Sequence, residues 1–330
     1  AAEVHRLVGG DDEAPLVEVD DHEGVVVPWR CLYVVPEVAT EPMRTERMSC
    51  LAACSHNPFS MIGYDLIPVT TAETCYDVSS GFVGILTAAR HARAVAPISA
   101  AAGEEWLGWR RMLAGTGFPG PRIEPVLLPT EVQPGDADRI GRARERLVVS
   151  SLPLVLVVGS HEPRKNHLTV LHAAEILWQE GHRFSLSFIG GNAWKSEPFY
   201  ERLNELVASG RPVEAISRAT DDLLWGGYRV ARFTVFPSLN EGFGLPLAES
   251  LGCGTPAITS NFGAMKEIAD EGGGALLVDP RDDRSVTDAM RALLTDDEHL
   301  ERLRREAAAR PIRRWEDYAA EVWEVLTGRS

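Results

Sequence analysis

The feature that most constrains the fold of this chain is the segment PSLNEGFGLPLAESLGCGTP at residues 237–256. The β-branched and aromatic run before it, residues 232–236, predicts a buried strand, and residues 256–259 predict the next strand. The segment therefore predicts a strand, a glycine turn and the start of a helix within a βαβ unit. Such a turn places free backbone N–H groups and the positive end of a helix dipole beside two acids, Glu241 and Glu249. This combination suits a ligand with a phosphate and several hydroxyl groups, as in a sugar nucleotide.

Length and composition allow two folded domains. The chain has 330 residues, of which 45% are hydrophobic and 25% are charged, as in an ordinary globular protein with room for two cores. Its net charge is −15, and residues 1–140 contain 10 arginines, no lysine and 20 acidic residues. Such a surface repels nucleic-acid phosphates and anionic lipid heads at long range, so we expect no nucleic-acid partner. Peripheral membrane contact stays open but is not indicated.

The pattern of cysteines and the lengths of the apolar stretches indicate the cellular compartment of the protein. The five cysteines are scattered, and they form no Cys-x-x-Cys pair and no zinc-like pattern with histidine. Cys50 and Cys54 could share one helix face, and we interpret all five as reduced thiols. No apolar stretch is long enough for a transmembrane helix, and the first residues lack the apolar core of a signal peptide. We therefore expect a cytoplasmic protein.

Alternating strand and helix patterns predict two α/β domains with parallel sheets. Residues 130–153 are polar, charged and interrupted by Pro and Gly, which is typical of a domain boundary, and a buried strand follows at 154–158. We assign residues 1–135 to an N-terminal domain, whose abrupt start leaves its completeness open. Residues 136–312 form the second domain, and residues 313–330 form a helix that crosses back to the first.

The remaining predicted elements follow from periodicity and turn residues. Strands are predicted at residues 15–19, 25–28, 31–36, 94–98, 124–128, 184–189 and 275–278, with a strand end at 62–68. Helices are predicted at residues 79–93, 199–208, 221–228, 285–294, 298–309 and 314–326, after the N-cap Ser99 and after residue 166.

The chain resembles the retaining glycosyltransferases of the GT-B fold, which have two Rossmann-like domains facing across a cleft. The motifs that carry the resemblance are, in order, GSHEPRKN, GYRVARFTVFPS, NEGFGLPLAESLGCGTP, SNFGAMKEIA, LLVDP and RRWEDYA. More narrowly, they resemble the fourth glycosyltransferase family, which includes many bacterial mannosyl- and glucosyltransferases. The resemblance is strong over residues 154–320, weaker over 60–130 and absent over 1–58.

The resemblance implies roles for the two glutamates. Glu241 would contact hydroxyl groups of the donor sugar, and Glu249 would hold the ribose. The glycines of the segment let the backbone approach a ligand closely, so its N–H groups would face the sugar and the diphosphate. The residues in this group are Gly242, Phe243, Gly244 and Leu245.

The basic residues of the second domain supply the expected positive charge. A cation at a helix start is disfavoured by the dipole, so Lys165 implies an anion nearby. The resemblance makes Lys165 the ligand of the diphosphate and the group that neutralises leaving-group charge. Relatives carry an arginine earlier in this loop, where this chain has Ser160 or His161, and Arg164 is either a donor contact or a structural residue. Arg218 is a candidate for base recognition or an ordinary surface arginine.

The acceptor side departs from the family. Relatives often have His-Asp where this chain has Tyr64 and Asp65, and Asn-Gly where it has Thr130 and Glu131. Asp65 either contacts substrate or caps a loop. Glu267 matches an acid common in the family, more often structural than ligating.

These features predict a retaining hexosyltransferase. The donor would be a nucleotide diphosphate sugar (GDP-mannose, or a UDP- or dTDP-hexose), and the acceptor a hydroxyl of a glycan, a lipid-linked saccharide or a small molecule. We expect no metal and no other cofactor, since no Asp-x-Asp signature lies in a suitable place and Lys165 with backbone N–H groups supplies positive charge.

Two alternatives stay open, a non-catalytic partner subunit of another glycosyltransferase and a sugar-nucleotide epimerase on the same fold. A nicotinamide dehydrogenase is excluded, because no Gly-x-Gly-x-x-Gly follows a predicted strand.

Overall fold

The structure is a computed structural model that describes residues 29–75, 79–150 and 152–328. Two predicted strands, at residues 15–19 and 25–28, lie outside these residues. The described residues contain two parallel sheets with helices packed around them.

The first sheet has four strands. They are β1 (Tyr33–Val35), β2 (Phe59–Gly63), β3 (Ala94–Pro97) and β4 (Arg122–Ile123), in this spatial order. The accompanying helices are α1 (Pro42–Cys54), α2 (Ile67–Thr70), α3 (Ser79–Ala89) and α4 (Ala100–Gly115), with a 3₁₀ turn at Ala72–Thr74. Every residue of β2 and β3 is buried, as expected for strands of a parallel sheet that is covered on both faces.

The second sheet has six strands. They are β5 (Leu154–Val158), β6 (Ser185–Ile189), β7 (Val213–Ile216), β8 (Phe233–Phe236), β9 (Ala257–Ser260) and β10 (Ala275–Val278). The helices after β4 are α5 (Ala137–Leu147), α6 (His167–Gln179), α7 (Glu197–Ala208), α8 (Asp221–Val230), α9 (Leu245–Gly252), α10 (Gly263–Asp270), α11 (Asp283–Thr295), α12 (Asp297–Ala308) and α13 (Trp315–Thr327). The strand order is β10-β9-β8-β5-β6-β7, the Rossmann arrangement, so the chain reverses direction across the sheet between β5 and β8.

The polar segment 130–153, which we interpret as a domain boundary, contains a helix that was not predicted, α5. Asp136 caps this helix by accepting a hydrogen bond from the N–H of Arg139 at 2.8 Å. Only Ala143 and Leu147 of α5 are buried, and most of the rest of the helix is polar and charged, so the segment has the composition of a linker. Helix α8 approaches closely at Gly226, where a Cβ would overlap the Ala143 methyl group.

The strand predicted at residues 124–128 is also misplaced, because β4 ends at Ile123. The N–H groups of Glu124 and Val126 still donate to carbonyls of the β3 segment, at 3.1 and 2.8 Å, so the chain stays extended beyond the assigned strand. Helices α1, α2 and α10 and strand β7 were not predicted. The other predicted elements within the described residues are present, with ends that differ by a few residues.

Helix α13 lies against the first sheet, although the chain reaches it from the second. The Ser60 hydroxyl donates to the Leu326 carbonyl at 2.9 Å, and the Arg122 guanidinium donates to the Val325 carbonyl. Tyr318, Val325 and Leu326 are buried in a hydrophobic cluster that contains residues of both sheets. The last helix therefore ties the two halves of the molecule together, and the boundaries at residues 135 and 312 stay predictions.

Truncation of Leu326, which is 3% exposed, tests this attachment. We expect Leu326→Ala to lower the free energy of unfolding by about 2–5 kcal/mol, because the cavity adds to the lost burial. Trp323 lies one turn earlier and is 44% exposed, so Trp323→Ala is the control. Urea denaturation checks both variants, and equal effects would contradict the packing of α13.

Candidate functional site

The candidate site lies at the carboxyl ends of β5 and β8, where the strand order reverses. Ligands of open α/β sheets bind in the crevice at such a point. Residues 159–166 follow β5 and residues 237–244 follow β8. The N–H of Leu239 donates to the Arg164 carbonyl at 2.8 Å, which joins the two loops directly.

The Glu241 carboxylate lies between two cations. Its Oε1 is 2.5 Å from Lys165 Nζ, and its Oε2 is 2.8 Å from Arg164 Nη1. Glu241 is 9% exposed, and both cations are largely buried as well. Lys165 Nζ also lies 5.2 Å from the centroid of the Phe236 ring, within the range of a cation–π contact. The structure thus brings together residues from two motifs that are separate in the sequence, Arg164 and Lys165 from one and Glu241 from the other.

The two cations keep this carboxylate ionised. Burial raises the pKa of Glu241, but the charges of Lys165 and Arg164 outweigh it, so the pKa lies below the usual range. Arg164 is held in place by hydrogen bonds to the Asn240 carbonyl and the Glu162 carboxylate, each at 2.6 Å. Removing one member of a buried ion pair typically costs about 3–5 kcal/mol, so the three charges act as one unit. The anion beside Lys165 in this structure is Glu241 itself.

Glu249 lies on α9, outside this charged group. Its Oε2 accepts a hydrogen bond from the hydroxyl of Tyr228 at 2.7 Å, and Tyr228 is fully buried. Burial raises the pKa of Glu249, and the hydrogen bond from Tyr228 partly opposes this shift. No sequence pattern points to Tyr228, because its partner is 21 residues away and on another helix.

A cavity of about 460 Å³ lies beside Glu249. It is lined by residues 129–134, Trp225, Leu245, Ala248, Glu249 and Trp315. Two indole rings and a carboxylate therefore surround a space large enough for part of a small-molecule ligand.

The backbone between the two glutamates makes a tight turn. Gly244 has φ of 106°, a conformation that favours glycine, and α9 begins at the next residue. A Cβ on Gly242 would overlap the carboxylate of Asp65 from the first sheet. The Phe243 side chain is buried, whereas Leu245 is exposed.

Asp65 and Tyr64 follow β2 and represent the predicted acceptor side. Asp65 Oδ1 accepts from the N–H of Ile67 at 3.2 Å, so it does cap its loop while it also lies against Gly242. Burial raises the pKa of Asp65, and both this hydrogen bond and the Arg164 charge oppose the shift. The Tyr64 hydroxyl donates to the Pro36 carbonyl at 3.1 Å. Asp65 thus lies beside the loop of residues 237–244, and its predicted role in substrate contact stays a prediction.

Two other candidates lie apart from the charged group. Ser160 is half-buried in the loop after β5, and Arg218 is exposed in the loop after β7. Neither contacts Glu241 or lines the cavity beside Glu249 in the described part of the chain. Their roles stay predictions.

A buried histidine pair supports the Lys165 loop and was not selected from the sequence as a site feature. His161 and His167 are 2% and 4% exposed, with ring centroids 5.3 Å apart. His161 Nδ1 forms a hydrogen bond with the Tyr200 hydroxyl at 2.7 Å. Burial lowers the pKa of His161 to about 4 and that of His167 well below its usual value, so both rings are neutral at pH 7.

The described residues offer no group of three or more His, Cys, Asp and Glu side chains that could hold a metal ion. The expectation that the chain needs no metal stays a prediction. None of the helices in residues 29–75, 79–150 and 152–328 is long and apolar enough to cross a membrane.

Comparisons with known proteins bear on this site. The family model described as glycosyl transferases group 1 matches residues 142–310. The serotype-specific mannosyltransferase WbdA of Escherichia coli is 25% identical over 274 residues, which cover 79% of this chain and 32% of the relative. A D-inositol 3-phosphate glycosyltransferase of Acidothermus cellulolyticus is 35% identical over 185 residues, 52% of this chain and 40% of the relative. The chain thus spans less than half the length of these relatives.

Solved structures share the architecture. Sucrose-phosphate synthase from Thermosynechococcus elongatus has a TM-score of 0.69 and 19% identity, and the match covers 89% of this chain and 72% of that one. HepE from Anabaena in complex with UDP and glucose also has a TM-score of 0.69, with 14% identity over 90% of this chain and 78% of that one. At such identities the likeness shows the fold alone. The predicted α/β fold with two Rossmann-like domains facing across a cleft is confirmed.

The buried His161 predicts a pH dependence of stability. An imidazole in the unfolded chain takes up a proton below about pH 6.5, whereas buried His161 does so only near 4. Because acid then favours the unfolded state, we expect the free energy of unfolding to fall between about pH 6.5 and 4. Urea denaturation at several pH values checks this. His161→Phe should flatten the profile, and His172→Asn, at an exposed position of α6, should not. An unchanged slope in His161→Phe would contradict the assignment.

Proposed function

The chain belongs to the glycosyl transferases group 1 family, and we propose that it moves a hexose from a nucleotide diphosphate sugar to a hydroxyl acceptor. The observation that carries this proposal is the group formed by Glu241, Lys165 and Arg164 at the reversal of strand order. It combines two buried cations with a carboxylate and lies in the crevice where ligands of such sheets bind.

The two cations suit the leaving group. Breakage of the bond between the sugar and the diphosphate places negative charge on the phosphate oxygens, and Lys165 and Arg164 are already held in place for it. Before the donor binds, Glu241 pairs with both cations, and Glu162 supplies the second negative charge through its pair with Arg164. The incoming diphosphate would compete with Glu241 for them, and the freed carboxylate would accept hydrogen bonds from the sugar hydroxyls. The amino end of α9 adds backbone N–H groups toward the same anion.

Glu249 and the cavity beside it suit the nucleoside. A carboxylate accepts two hydroxyl groups of a ribose well, and Trp225 and Trp315 offer apolar faces for a ring. Arg218 stays a candidate for the base, since it lies after β7 on the same edge of the sheet.

The acceptor would enter between the two domains, where Asp65 lies against Gly242. We propose transfer with retention, with the acceptor attacking from the face of the leaving phosphate, and with Lys165 in place of a metal ion. The similarity to a mannosyltransferase puts GDP-mannose first among the donors to test, followed by UDP- and dTDP-hexoses. A glycan, a lipid-linked saccharide or a small molecule would serve as acceptor.

Donor binding is tested by thermal unfolding with GDP, UDP, dTDP and their sugars. A ligand that binds only the folded state stabilises it by about 2.7 kcal/mol at 100 times its Kd, so one nucleotide of the panel should raise the Tm by several degrees. ATP serves as the control for unspecific phosphate binding. A panel without any shift would count against the proposed function.

Glu241→Ala and Lys165→Ala test the site itself. We expect each to lower the turnover of donor by about 10²–10³-fold, because each removes a group that acts on charge in the transition state. Glu205→Ala, which removes an exposed carboxylate of α7, is the matched control. Donor consumption is measured by nucleotide release. Wild-type turnover in the two site variants would overturn the assignment, and a wild type that binds donor without turnover would favour a non-catalytic subunit.

A further inference from the structure

The clearest unexplained contact in the molecule joins Glu267 of the second domain to the start of α4 in the first. Glu267 Oε1 accepts from the N–H of Ala100 at 2.9 Å, and Oε2 accepts from the N–H of Ala101 at 3.1 Å. These N–H groups have no acceptor within their own helix. A carboxylate at a helix amino end is also favoured by the dipole. Glu267 of α10 therefore caps the amino end of α4, which lies more than 160 residues earlier in the chain.

Ser99 caps the same end of α4 and contacts the loop of residues 237–244, which carries Glu241 and which we call the donor loop. Its Oγ accepts from the N–H of Ala102 at 2.9 Å, and its carbonyl accepts from the N–H of Gly103 at 2.9 Å. Its hydroxyl donates to the carbonyl of Gly242 at 2.6 Å, and Ser99 is fully buried. The N–H groups of Ala100, Ala101 and Ala102, which have no acceptor within α4, are thus all paired, and Ser99 also holds the carbonyl of Gly242, the residue directly after Glu241.

This contact lies beside a hydrophobic cluster that both domains share. Apolar residues of both domains pack beside it in one cluster, which includes Ile98, Ala102, Phe243, Met265 and Ile268. Hydrogen bonds to a charged group are stronger than those between neutral groups, and a buried carbonyl that loses its partner is left desolvated without compensation. The contact therefore favours the arrangement of the two domains in which the Gly242 carbonyl and the amino end of α4 are both paired.

We propose that Ser99 and Glu267 form a clasp across the cleft that positions the backbone of Gly242, and with it the adjacent Glu241, for glycosyl transfer. This inference rests on the proposed function, because it needs Glu241 to contact the donor sugar. Lys165 and Arg164 hold the side chain of Glu241. Ser99 holds the backbone of the next residue through the carbonyl of Gly242. Ser99 and Glu267 are positioning residues: they act on the substrate through the donor loop.

The variants Ser99→Ala, Glu267→Ala and Glu267→Gln test the clasp. A misplacement of about 1 Å at a reacting group can lower the rate about 10²-fold, so we expect kcat at saturating donor to fall at least about 10-fold in the two alanine variants. Glu267→Gln should be intermediate, since its amide oxygen can still accept one N–H. The Kd of the donor nucleotide should stay near that of the wild type, because its expected contacts lie on the second domain. Asp270→Asn is the control, as it removes an exposed carboxylate of α10 that pairs with Lys266.

The outcomes separate the two proposals. A wild type and an Asp270→Asn variant that both turn over no donor would overturn the proposed function. An active wild type with unchanged kcat in Ser99→Ala and Glu267→Ala would overturn the clasp alone. If Glu267→Ala does not fold, Glu267→Gln decides, since it keeps the shape of the side chain. A fall in kcat with unchanged Kd supports the positioning role, and a parallel loss of donor binding overturns it.

Discussion

The rest of the structure depends on one buried charge arrangement, the Glu241 carboxylate between Lys165 and Arg164. Charges leave water only at a considerable cost, and they are tolerated when each has a partner in good geometry. Here each cation has a second contact, the Phe236 ring for Lys165 and the Asn240 carbonyl for Arg164. This requirement fixes the loops after β5 and β8 against each other, and it places the positive charge where the sheet opens into the cleft.

The two domains share more than a linker. Helix α13 returns to the first sheet, and the hydrophobic cluster around it contains residues from both sheets. On the other side of the cleft, Trp194 Nε1 donates to the Thr74 carbonyl at 2.9 Å, and Asn240 Nδ2 lies 3.5 Å from Glu105 Oε1. The contacts of Ser99 and Glu267 belong to the same set. A site built from two domains in this way is complete only when they are closed together, which makes closure part of the chemistry.

The surface that the first domain presents to the cleft differs from that of the second domain. Near the loop of residues 237–244 the first domain places polar and acidic side chains, which include Asp65, Glu105 and Ser99. The two cations that pair with Glu241 come from the loop after β5. Positive charge on one wall of the cleft therefore faces acidic and polar groups on the other.

The sequence by itself determined most strands and helices, the two-domain α/β class and the segment with Glu241 and Glu249, because each follows from local periodicity or turn chemistry. It failed where local signals are weak: α5 has too few buried residues, and the run at residues 124–128 extends the chain without completing a strand. Only the tertiary structure decided that Arg164 and Lys165 pair with Glu241, that Tyr228 meets Glu249, and that Glu267 caps α4. Those partners are up to 167 residues apart, and what brings them together is the order of strands in the sheets and the packing of one domain on the other.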